Sequence, residues 1–418
     1  MKVGHPRTAF RPRASLRLGY LVSHPIQYHA PVFRALSKRP DVEFSAHFCH
    51  DHGLEPCFDP GFGQLIRFDV PLLEGYRYQF LRNVAPRSSL RPTGQLNPAV
   101  VKLVRSCELD ALIVHGYSPL SNILALLTPL RRTRLLLRGD STRMVVPPFA
   151  KRVTKQAILR LLFARADGFL HIGTLNAAYY RSYGVPDERM TFSPLAIDND
   201  HFANGSEEAR RDRVAARVAL GLPPTGALIL SVGKLIPIKR CLDVLRAFSR
   251  VRHDPPPTLA YVGDGPVRTE LEHEIRALGL GRRVTVLGFR NQSELPAIYG
   301  AADVLVLASD GEPWGLVVNE AMAAGVVPIL SDRVGAVVDL SPAPECVFPM
   351  GDTQVLTRRM EELIANPDRL ERLRQLCRER VSAYGVEASV EGMVRGARRA
   401  CNQPLRSMLP RAHGGLGA

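Results

Sequence analysis

Short apolar runs rich in β-branched residues alternate with helical patterns along this chain, in two consecutive blocks. In the first block the predicted strands cover 16–22, 42–48, 111–114, 134–137 and 168–172, and the predicted helices cover 30–37, 97–105, 149–164 and 176–183. In the second block the strands cover 227–232, 258–262, 283–287, 303–308 and 327–330, and the helices cover 240–251, 267–278, 293–299 and 316–324. This alternation predicts an α/β protein whose parallel sheets are covered on both faces, as in two Rossmann-like, doubly wound domains.

The boundary between the two blocks is predicted near residue 200, in a proline-containing segment that includes Asp198-Asn199-Asp200. Two domains agree with a length of 418 residues, because a domain averages ~150 residues. We expect an N-terminal domain over 16–200, a C-terminal domain over 201–385 and a terminal helix over 386–401 that can cross back to the N-terminal domain. A flexible basic arm over 1–15 and a flexible tail over 402–418 complete the prediction.

The charge composition restricts the class of partner. The chain has 55 Lys and Arg against 40 Asp and Glu, and the net charge of +15 favours nucleic acid, an acidic membrane face or phosphorylated substrates. No apolar run approaches the ~20 residues of a membrane-spanning helix, and no signal-peptide pattern is present. Seven scattered cysteines without a CxxC fit a reducing compartment. A cytoplasmic protein is expected, with contact at the inner face of a membrane left open.

The segment 312–325 carries the most chemical information. It follows a predicted strand and opens a predicted helix, where Gly315 permits close backbone approach and the N–H groups of Leu316 and Val317 can bind an anion. Glu312 precedes the helix and Glu320 lies inside it, so the two carboxylates flank the anion site at different depths. They can accept hydrogen bonds from hydroxyl groups on either side of a phosphate. Taken singly, each glutamate is more simply a solvated charge near a helix start.

A second strand–helix junction supports the first. Gly233 and Lys234 follow the predicted strand 227–232, and Lys239 comes five positions after Lys234. Both ammonium groups can reach one diphosphate at the carboxyl edge of the sheet. Taken alone, they are equally well explained as solvated loop lysines.

These segments together resemble the retaining family 4 glycosyltransferases (glycosyl transferases group 1), which have GT-B architecture with two Rossmann-like domains facing across a cleft. The resemblance is strongest over 227–332, and the segments that carry it are Val232-Gly233-Lys234 with Lys239, Gly263-Asp264-Gly265-Pro266, Leu287-Gly288-Phe289 and the pair Glu312 and Glu320.

The resemblance implies a role for each matching position. It implies that Glu312 contacts hydroxyls of the donor sugar and that Glu320 contacts the ribose. Lys234 and Lys239 would bind the diphosphate together with the N–H groups around Leu316 and Val317. The family commonly has Arg at position 234, so Lys234 keeps the charge but loses bidentate geometry.

The N-terminal block supplies further candidates at strand ends. Ser23-His24-Pro25-Ile26-Gln27-Tyr28-His29 follows the first strand and resembles a loop of polysaccharide-assembly members of the family, which makes His24 and Gln27 candidates for the cleft. The family often has a histidine near the transferred sugar, and His115 matches that position; a structural histidine is the alternative. Arg138, which follows a third strand, either faces the acceptor or forms a surface salt pair.

Several other patterns favour structural roles. The residues His47, Cys49, His50, Asp51 and His52 lack a distant partner cluster, so an incidental group is favoured over a zinc site. Asp198-Asn199-Asp200 favours a turn or a helix cap, and the loop 263–265 a tight turn. Trp314 either lines the sugar pocket or packs beneath its loop.

The predicted helix 151–165 has five basic residues around an apolar stripe. Such a helix either covers a sheet with its charged face outward or docks on anionic lipid, and the sequence slightly favours the first.

The function expected from these features is metal-independent transfer of a sugar from a UDP, GDP or ADP sugar to a hydroxyl of a growing glycan or lipid-linked acceptor. No cofactor is expected, because the nucleotide sugar is the substrate, and Glu312, Lys239 and His115 are the candidate catalytic residues. A pair of hydrolytic carboxylates is a poor match to the positions of Glu312 and Glu320. A nucleotide-sugar epimerase on a similar frame and a basic nucleic-acid-binding protein remain alternatives, although no nucleic-acid-reading motif is present.

Overall fold

Two parallel sheets form the framework of the protein. The computed structural model describes residues 15–129, 131–144 and 149–403. The strands are β1 (Leu16–Val22), β2 (Val42–Phe48), β3 (Cys57–Asp59), β4 (Gln64–Ile66), β5 (Tyr78–Phe80), β6 (Ala111–His115), β7 (Arg134–Arg138), β8 (Gly168–His171), β9 (Met190–Phe192), β10 (Leu228–Val232), β11 (Thr258–Val262), β12 (Val284–Gly288), β13 (Val304–Leu307), β14 (Val327–Ser331) and β15 (Val347–Phe348). The predicted main strands are all found, with end points that differ by no more than one residue.

Helices connect and cover these strands. They are α1 (His29–Lys38), α2 (Ala99–Arg105), α3 (Leu120–Leu127), α4 (Phe149–Arg165), α5 (Thr174–Arg181), α6 (Asn199–Gly205), α7 (Glu207–Arg211), α8 (Arg213–Ala219), α9 (Cys241–Phe248), α10 (Arg268–Ala277), α11 (Leu295–Gly300), α12 (Leu316–Ala323), α13 (Val337–Leu340), α14 (Thr353–Ile364), α15 (Pro367–Ser382) and α16 (Val386–Cys401). Among the residues described, none of these helices has both the length and the apolarity needed to cross a bilayer.

Strand order shows two doubly wound domains. The N-terminal sheet has the order β5-β2-β1-β6-β7-β8-β9 and the C-terminal sheet the order β12-β11-β10-β13-β14-β15, with parallel pairing throughout. Central residues such as Leu18, Leu112 and Leu230 are fully buried because helices cover both faces. The predicted α/β fold is confirmed. Since β1 and β10 are where each strand order reverses, the loops after them lie where ligands bind in such sheets.

The terminal helix α16 packs against the N-terminal sheet rather than against the domain that precedes it in sequence. It contacts α1 and strands β6 to β9. Two glycines allow this close approach: a Cβ at Gly392 would lie 2.2 Å from the carbonyl oxygen of Phe192, and one at Gly396 would lie 2.7 Å from Leu170. The segment predicted as a basic arm falls outside the described residues except for Ser15. The predicted tail does so beyond residue 403.

A small antiparallel hairpin projects from the N-terminal domain. It consists of β3 and β4, which pair from Cys57 with Ile66 to Asp59 with Gln64. Each strand has three residues, too few to give a readable alternation of apolar and polar positions, and the sequence analysis did not predict either.

Candidate active site

The candidate site lies at the carboxyl edge of the C-terminal sheet, where the loops after β10, β11 and β13 meet. Gly233 has a φ of 134° and Gly263 a φ of 147°, a backbone region that favours glycine. A Cβ at Gly263 would lie 1.9 Å from the carbonyl oxygen of Gly233, so the two loops touch through their backbones. The glycines of 263–265 thus have a packing role, as the tight-turn interpretation predicts.

Helix α12 begins at this edge. Its first residue follows Gly315, which has a φ of 96° and caps the helix without a side-chain hydrogen bond. The N–H groups of Leu316 and Val317 lie in the first turn, where a helix offers them no acceptor of its own. These groups and the positive end of the helix dipole make the position suitable for a phosphate.

Lys239 and Glu312 form an ion pair beside the start of α12. The Lys239 Nζ contacts Glu312 Oε2, and the Ser309 hydroxyl donates to the same oxygen at 3.3 Å. A Cβ on Gly233 would lie 3.9 Å from the Lys239 ammonium, and one on Gly315 would lie 3.4 Å from Glu312. The pair therefore bridges the two junctions that the sequence singled out.

Lys234 points across the cleft toward the N-terminal domain, and not toward Glu312, which pairs with Lys239. Its Nζ donates to both carboxylate oxygens of Asp59 in the N-terminal domain, at 2.9 and 2.8 Å. The two lysines, which the sequence analysis expects to share one diphosphate, are each held by a carboxylate in this structure. A diphosphate bound to both would replace those contacts.

Glu320 is fully buried within α12 and aligned by two phenols. Tyr28 of the N-terminal domain donates to Oε1 at 2.9 Å, and Tyr299 donates to Oε2 at 3.0 Å. Burial raises the pKa of Glu320 to about 7, although hydrogen bonds from Tyr28, Tyr299 and Gln292 oppose the rise. A carboxyl group with this pKa changes protonation close to neutral pH.

A cavity of about 110 Å³ extends from Glu320 to the Gly233 and Gly263 loops. Residues from both domains line it, and they include Gln27, Tyr28, Phe62, Val317 and Phe289. Gln27 therefore lies where the sequence analysis places it, at the cleft, beside predicted donor-binding residues. Larger surface cavities lie elsewhere in the described part of the chain, one of them around α6 and α7.

The histidine candidates lie at the carboxyl ends of β1 and β6 in the N-terminal domain. His115 Nδ1 is 2.6 Å from the Tyr20 hydroxyl, and burial, with the charge of Arg138, lowers its pKa to about 3. His24 Nδ1 is 2.8 Å from Ser23 Oγ; burial and the neighbouring His52 lower its pKa to about 4. Both imidazoles are therefore neutral at pH 7, and they suit hydrogen bonding better than charge stabilisation.

Arg138 differs from both expectations made for it. Its side chain is buried in the N-terminal domain, where it donates to the Tyr20 hydroxyl at 3.2 Å, the Pro194 carbonyl at 2.6 Å and Ser389 Oγ at 3.1 Å. It neither faces the cleft nor forms a surface salt pair. It instead links β7 to α16 and to the segment that leaves the domain.

Trp314 packs beneath the site loop, which decides between the two roles left open for it. It is 3% exposed, stacks on Tyr384 with ring centroids 5.5 Å apart, and donates from Nε1 to Asn319 Oδ1 at 2.9 Å. A Cβ on Gly173 would lie 2.5 Å from its ring, so the indole also supports the contact between the domains.

The patterns interpreted as structural have structural partners. Asp198 caps α6 by accepting from the His201 N–H at 3.0 Å. Within the described residues, no group of three or more His, Cys, Asp or Glu side chains is placed to hold a metal ion. His47 bonds to Ser45, and His52 contacts Cys57.

Tyr28, Tyr299 and Asp59 are the site residues that the sequence analysis did not single out. Tyr28 follows the candidate Gln27 directly, so its place at a strand end was an available signal. Tyr299 and Asp59 lie in segments without a chemical pattern, and their partners Glu320 and Lys234 are distant in sequence.

Comparison with solved structures identifies the fold. Over 91% of its length the chain superposes on 98% of the Anabaena protein HepE, crystallised with UDP and glucose, with a TM-score of 0.67 and 18% identity. It also superposes over 92% of its length on 98% of the sucrose-phosphate synthase of Thermosynechococcus elongatus, with a TM-score of 0.67 and 20% identity. The architecture is GT-B, two Rossmann-like domains that face each other across a cleft.

The sequence comparisons find a family match within the C-terminal domain and relatives that cover part of the chain. Residues 212–380 match the family described as glycosyl transferases group 1. The D-inositol 3-phosphate glycosyltransferase of Rhodococcus erythropolis is 27% identical over 275 residues, which are 63% of this chain and 59% of the relative. The chain spans about half the length of the curated relatives that it matches.

Proposed function

We propose that this chain is a retaining glycosyltransferase that moves a sugar from a nucleoside-diphosphate sugar to a hydroxyl of a growing glycan or lipid-linked acceptor. One observation carries the proposal: the Lys239–Glu312 ion pair lies beside the start of α12, whose buried Glu320 lines the interdomain cavity. Cation, helix N-terminus and two carboxylates are then arranged for a diphosphate with a sugar at one end and a ribose at the other. The match of residues 212–380 to the family described as glycosyl transferases group 1 supports this assignment.

The chemistry requires a diphosphate to leave a sugar carbon that develops positive charge. Lys239 and Lys234 would stabilise the negative charge on the departing phosphate, with help from the N–H groups of Leu316 and Val317. Because these groups supply positive charge, the proposed step needs no divalent metal. Glu312 would accept hydrogen bonds from the sugar hydroxyls, and Glu320 from the ribose.

Retention is proposed to follow from attack on the face that the diphosphate leaves. The acceptor oxygen would form a bond to the anomeric carbon as the bond between that carbon and the phosphate oxygen breaks. The proton of the acceptor hydroxyl would pass to the same phosphate oxygen. This step requires no covalent intermediate with a side chain of the protein. His115, neutral and at the carboxyl end of β6, is proposed to hydrogen-bond near the transferred sugar.

Nucleotide binding gives the most direct test of this function. In a thermal-shift panel of UDP, GDP and ADP sugars, one nucleotide class is expected to raise the melting temperature by a few degrees, because a ligand that binds only the folded state stabilises it. The Lys239→Ala variant should lose most of this shift, and Arg246→Ala, which removes an exposed charge from α9, should keep it.

Product analysis separates transfer from the alternatives. A glycosylated acceptor with retained anomeric configuration supports the proposal. An isomerised donor formed without acceptor would instead indicate an epimerase, and salt-sensitive DNA binding without any nucleotide shift would indicate a nucleic-acid-binding protein.

We also propose that α4 contacts an anionic membrane at the cytoplasmic face, where polysaccharide or lipopolysaccharide would be assembled. Val153, Ile158 and Leu161 on α4 are each more than half exposed, and Lys155 and Arg160 lie among them. Exposed apolar side chains with interspersed basic residues suit a lipid headgroup layer.

Replacing three basic residues of α4 by glutamine tests the membrane contact. Each basic residue near an anionic surface contributes about 1 kcal/mol, so the triple variant should bind phosphatidylglycerol vesicles about 100-fold more weakly. The residues to replace are Lys151, Arg152 and Lys155. A control with Arg211, Arg246 and Arg276 replaced in the C-terminal domain should bind normally in the same sedimentation assay. Unchanged vesicle binding by the α4 variant would refute the contact.

A further inference from the structure

The hairpin of β3 and β4 reaches from the N-terminal domain to the predicted diphosphate site. Asp59, at the end of β3, holds the Lys234 ammonium with both carboxylate oxygens. The Phe62 ring meets Phe289 edge to face with centroids 4.9 Å apart, and the Lys234 ammonium lies 4.9 Å from the Phe62 ring centre. The hairpin therefore contacts the C-terminal domain in two ways. Asp59 forms an ion pair with Lys234, a residue predicted to bind the donor, and the Phe62 ring packs on Phe289.

The contact between hairpin and C-terminal domain has almost no spare room. A Cβ on Gly61 would lie 2.6 Å from Lys234 Cδ and 3.0 Å from its Nζ. On the other side, a Cβ on Gly265 would lie 2.7 Å from the Gly61 carbonyl oxygen. A side chain at position 61 would crowd Lys234, so the glycine leaves room for the Lys234 ammonium to reach Asp59.

Asp59 is ionised and well ordered by its own turn. Its Oδ1 accepts from the backbone N–H groups of Gly61 at 2.7 Å and Phe62 at 3.2 Å. Burial alone would raise the pKa of Asp59, but the hydrogen bonds and charge of Lys234, with those two N–H groups, lower it below its usual value. At neutral pH a full negative charge therefore occupies the neighbourhood that a diphosphate would enter.

A second contact from the N-terminal domain occupies the other end of the site. The Tyr28 hydroxyl donates to Glu320, the residue proposed to accept from the ribose. The cavity between these two contacts measures about 110 Å³, whereas ligand pockets measure about 300–1,000 Å³. We therefore expect the hairpin or Tyr28 to move when a nucleoside diphosphate binds.

We infer that Asp59 is an internal competitor of the donor diphosphate: it occupies Lys234 in the empty enzyme, and donor binding replaces it and displaces the hairpin. The inference rests on the proposed function, because it takes Lys234 as a diphosphate ligand. It assigns to the hairpin a role in setting donor affinity. The Lys234 ammonium thereby has an anionic partner both before and after the donor binds.

Calorimetric titration with UDP, GDP and ADP tests the inference. Asp59→Asn keeps the Oδ1 acceptor for the turn but removes the charge facing Lys234, and we expect it to lower the Kd of the nucleotide that binds by about two- to fivefold, as for a half-exposed ion pair. Asp51→Asn removes the same charge from the segment between β2 and β3, where its carboxylate is 77% exposed, and should leave the Kd unchanged. Thermal melting of each variant checks that it folds.

Two further variants distinguish competition from a general charge effect. Gly61→Ala crowds the Lys234 side chain where it meets Asp59 without changing any charge, so it should weaken that contact and also tighten nucleotide binding. In a Lys234→Met background Asp59→Asn should no longer lower the Kd, because the ammonium for which Asp59 and the diphosphate compete is absent.

The possible contradictory results differ from one another. An unchanged Kd for Asp59→Asn, or an equal gain from Asp51→Asn, would overturn the role of Asp59. Weaker binding by Gly61→Ala would overturn it as well, because the hairpin would then be a lid that holds the nucleotide. If neither the natural chain nor any variant binds any of the three nucleotides, the proposed function is wrong, and this inference is wrong with it.

Discussion

Replacing Lys239 by alanine is expected to lower kcat for sugar transfer by about 10²- to 10³-fold, the loss typical of removing one preorganised group that stabilises developing negative charge. Lys239 lies beside the start of α12, where its ion pair with Glu312 holds it. Glu312→Ala should cause a comparable loss, because it removes the acceptor for the sugar hydroxyls and releases Lys239. Steady-state assays with a matched acceptor measure both effects.

Two controls accompany this prediction: one removes a different positive charge from the same domain, and the other removes divalent metal. Arg246→Ala removes an ion pair between α9 and α10 of the same domain and should leave kcat unchanged. EDTA should not reduce the activity of the natural chain, because the lysines and the helix N-terminus are proposed to stabilise the leaving group. Strict dependence on a divalent metal, or full activity of Lys239→Ala, would contradict the mechanism.

Replacing Glu320 by glutamine is expected to have opposite effects on stability and on function. The pKa of Glu320 is about 7 in the folded protein, because burial disfavours its charge, and its usual value is 4.5. The folded state therefore binds a proton between these pH values that the unfolded state has released, so this carboxyl group stabilises the fold fully below pH 4.5 and loses that contribution as pH rises through 7. At pH 8 the variant should be more stable than the natural chain by about 3 kcal/mol.

Urea unfolding followed by tryptophan fluorescence measures this difference, since Trp314 is the single tryptophan and lies in the C-terminal domain. The stability difference between variant and natural chain should grow from pH 4.5 to pH 7 and stay constant above. Glu379→Gln, which neutralises an exposed glutamate of α15, should show no such trend. A difference independent of pH would show that Glu320 is not the titrating group.

The same substitution should weaken nucleotide binding, because a neutral amide is a poorer acceptor for ribose hydroxyls than a carboxylate. For the natural chain, nucleotide affinity should rise between pH 6 and 8 as Glu320 ionises, and Glu320→Gln should lack this rise. The protein thus gives up stability above neutral pH for an ionised carboxylate at the site, as is common for functional groups held in apolar surroundings.

Much of the site was predictable because its residues follow strands. Gly233 and Glu312 come after β10 and β13, and parallel strands bring their carboxyl ends to one edge of the sheet. The buried strands were predictable for a related reason: a strand covered on both faces is a continuous apolar run such as Leu228–Val232. Arg138 shows the limit of this reasoning, because a strand-end position does not state whether a side chain turns outward to the cleft or inward to Tyr20.

The sequence by itself determined the two doubly wound domains, the junctions at Gly233 and Gly315, and the residue types that gather there. Local periodicity and turn chemistry carry that information, and they act over neighbouring residues. Only the tertiary structure decided that Asp59 holds Lys234, that Tyr28 holds Glu320 from a position 292 residues away, and that Trp314 packs beneath the loop. Such contacts depend on how two separately folded sheets face each other, and no short-range pattern in the chain records that arrangement.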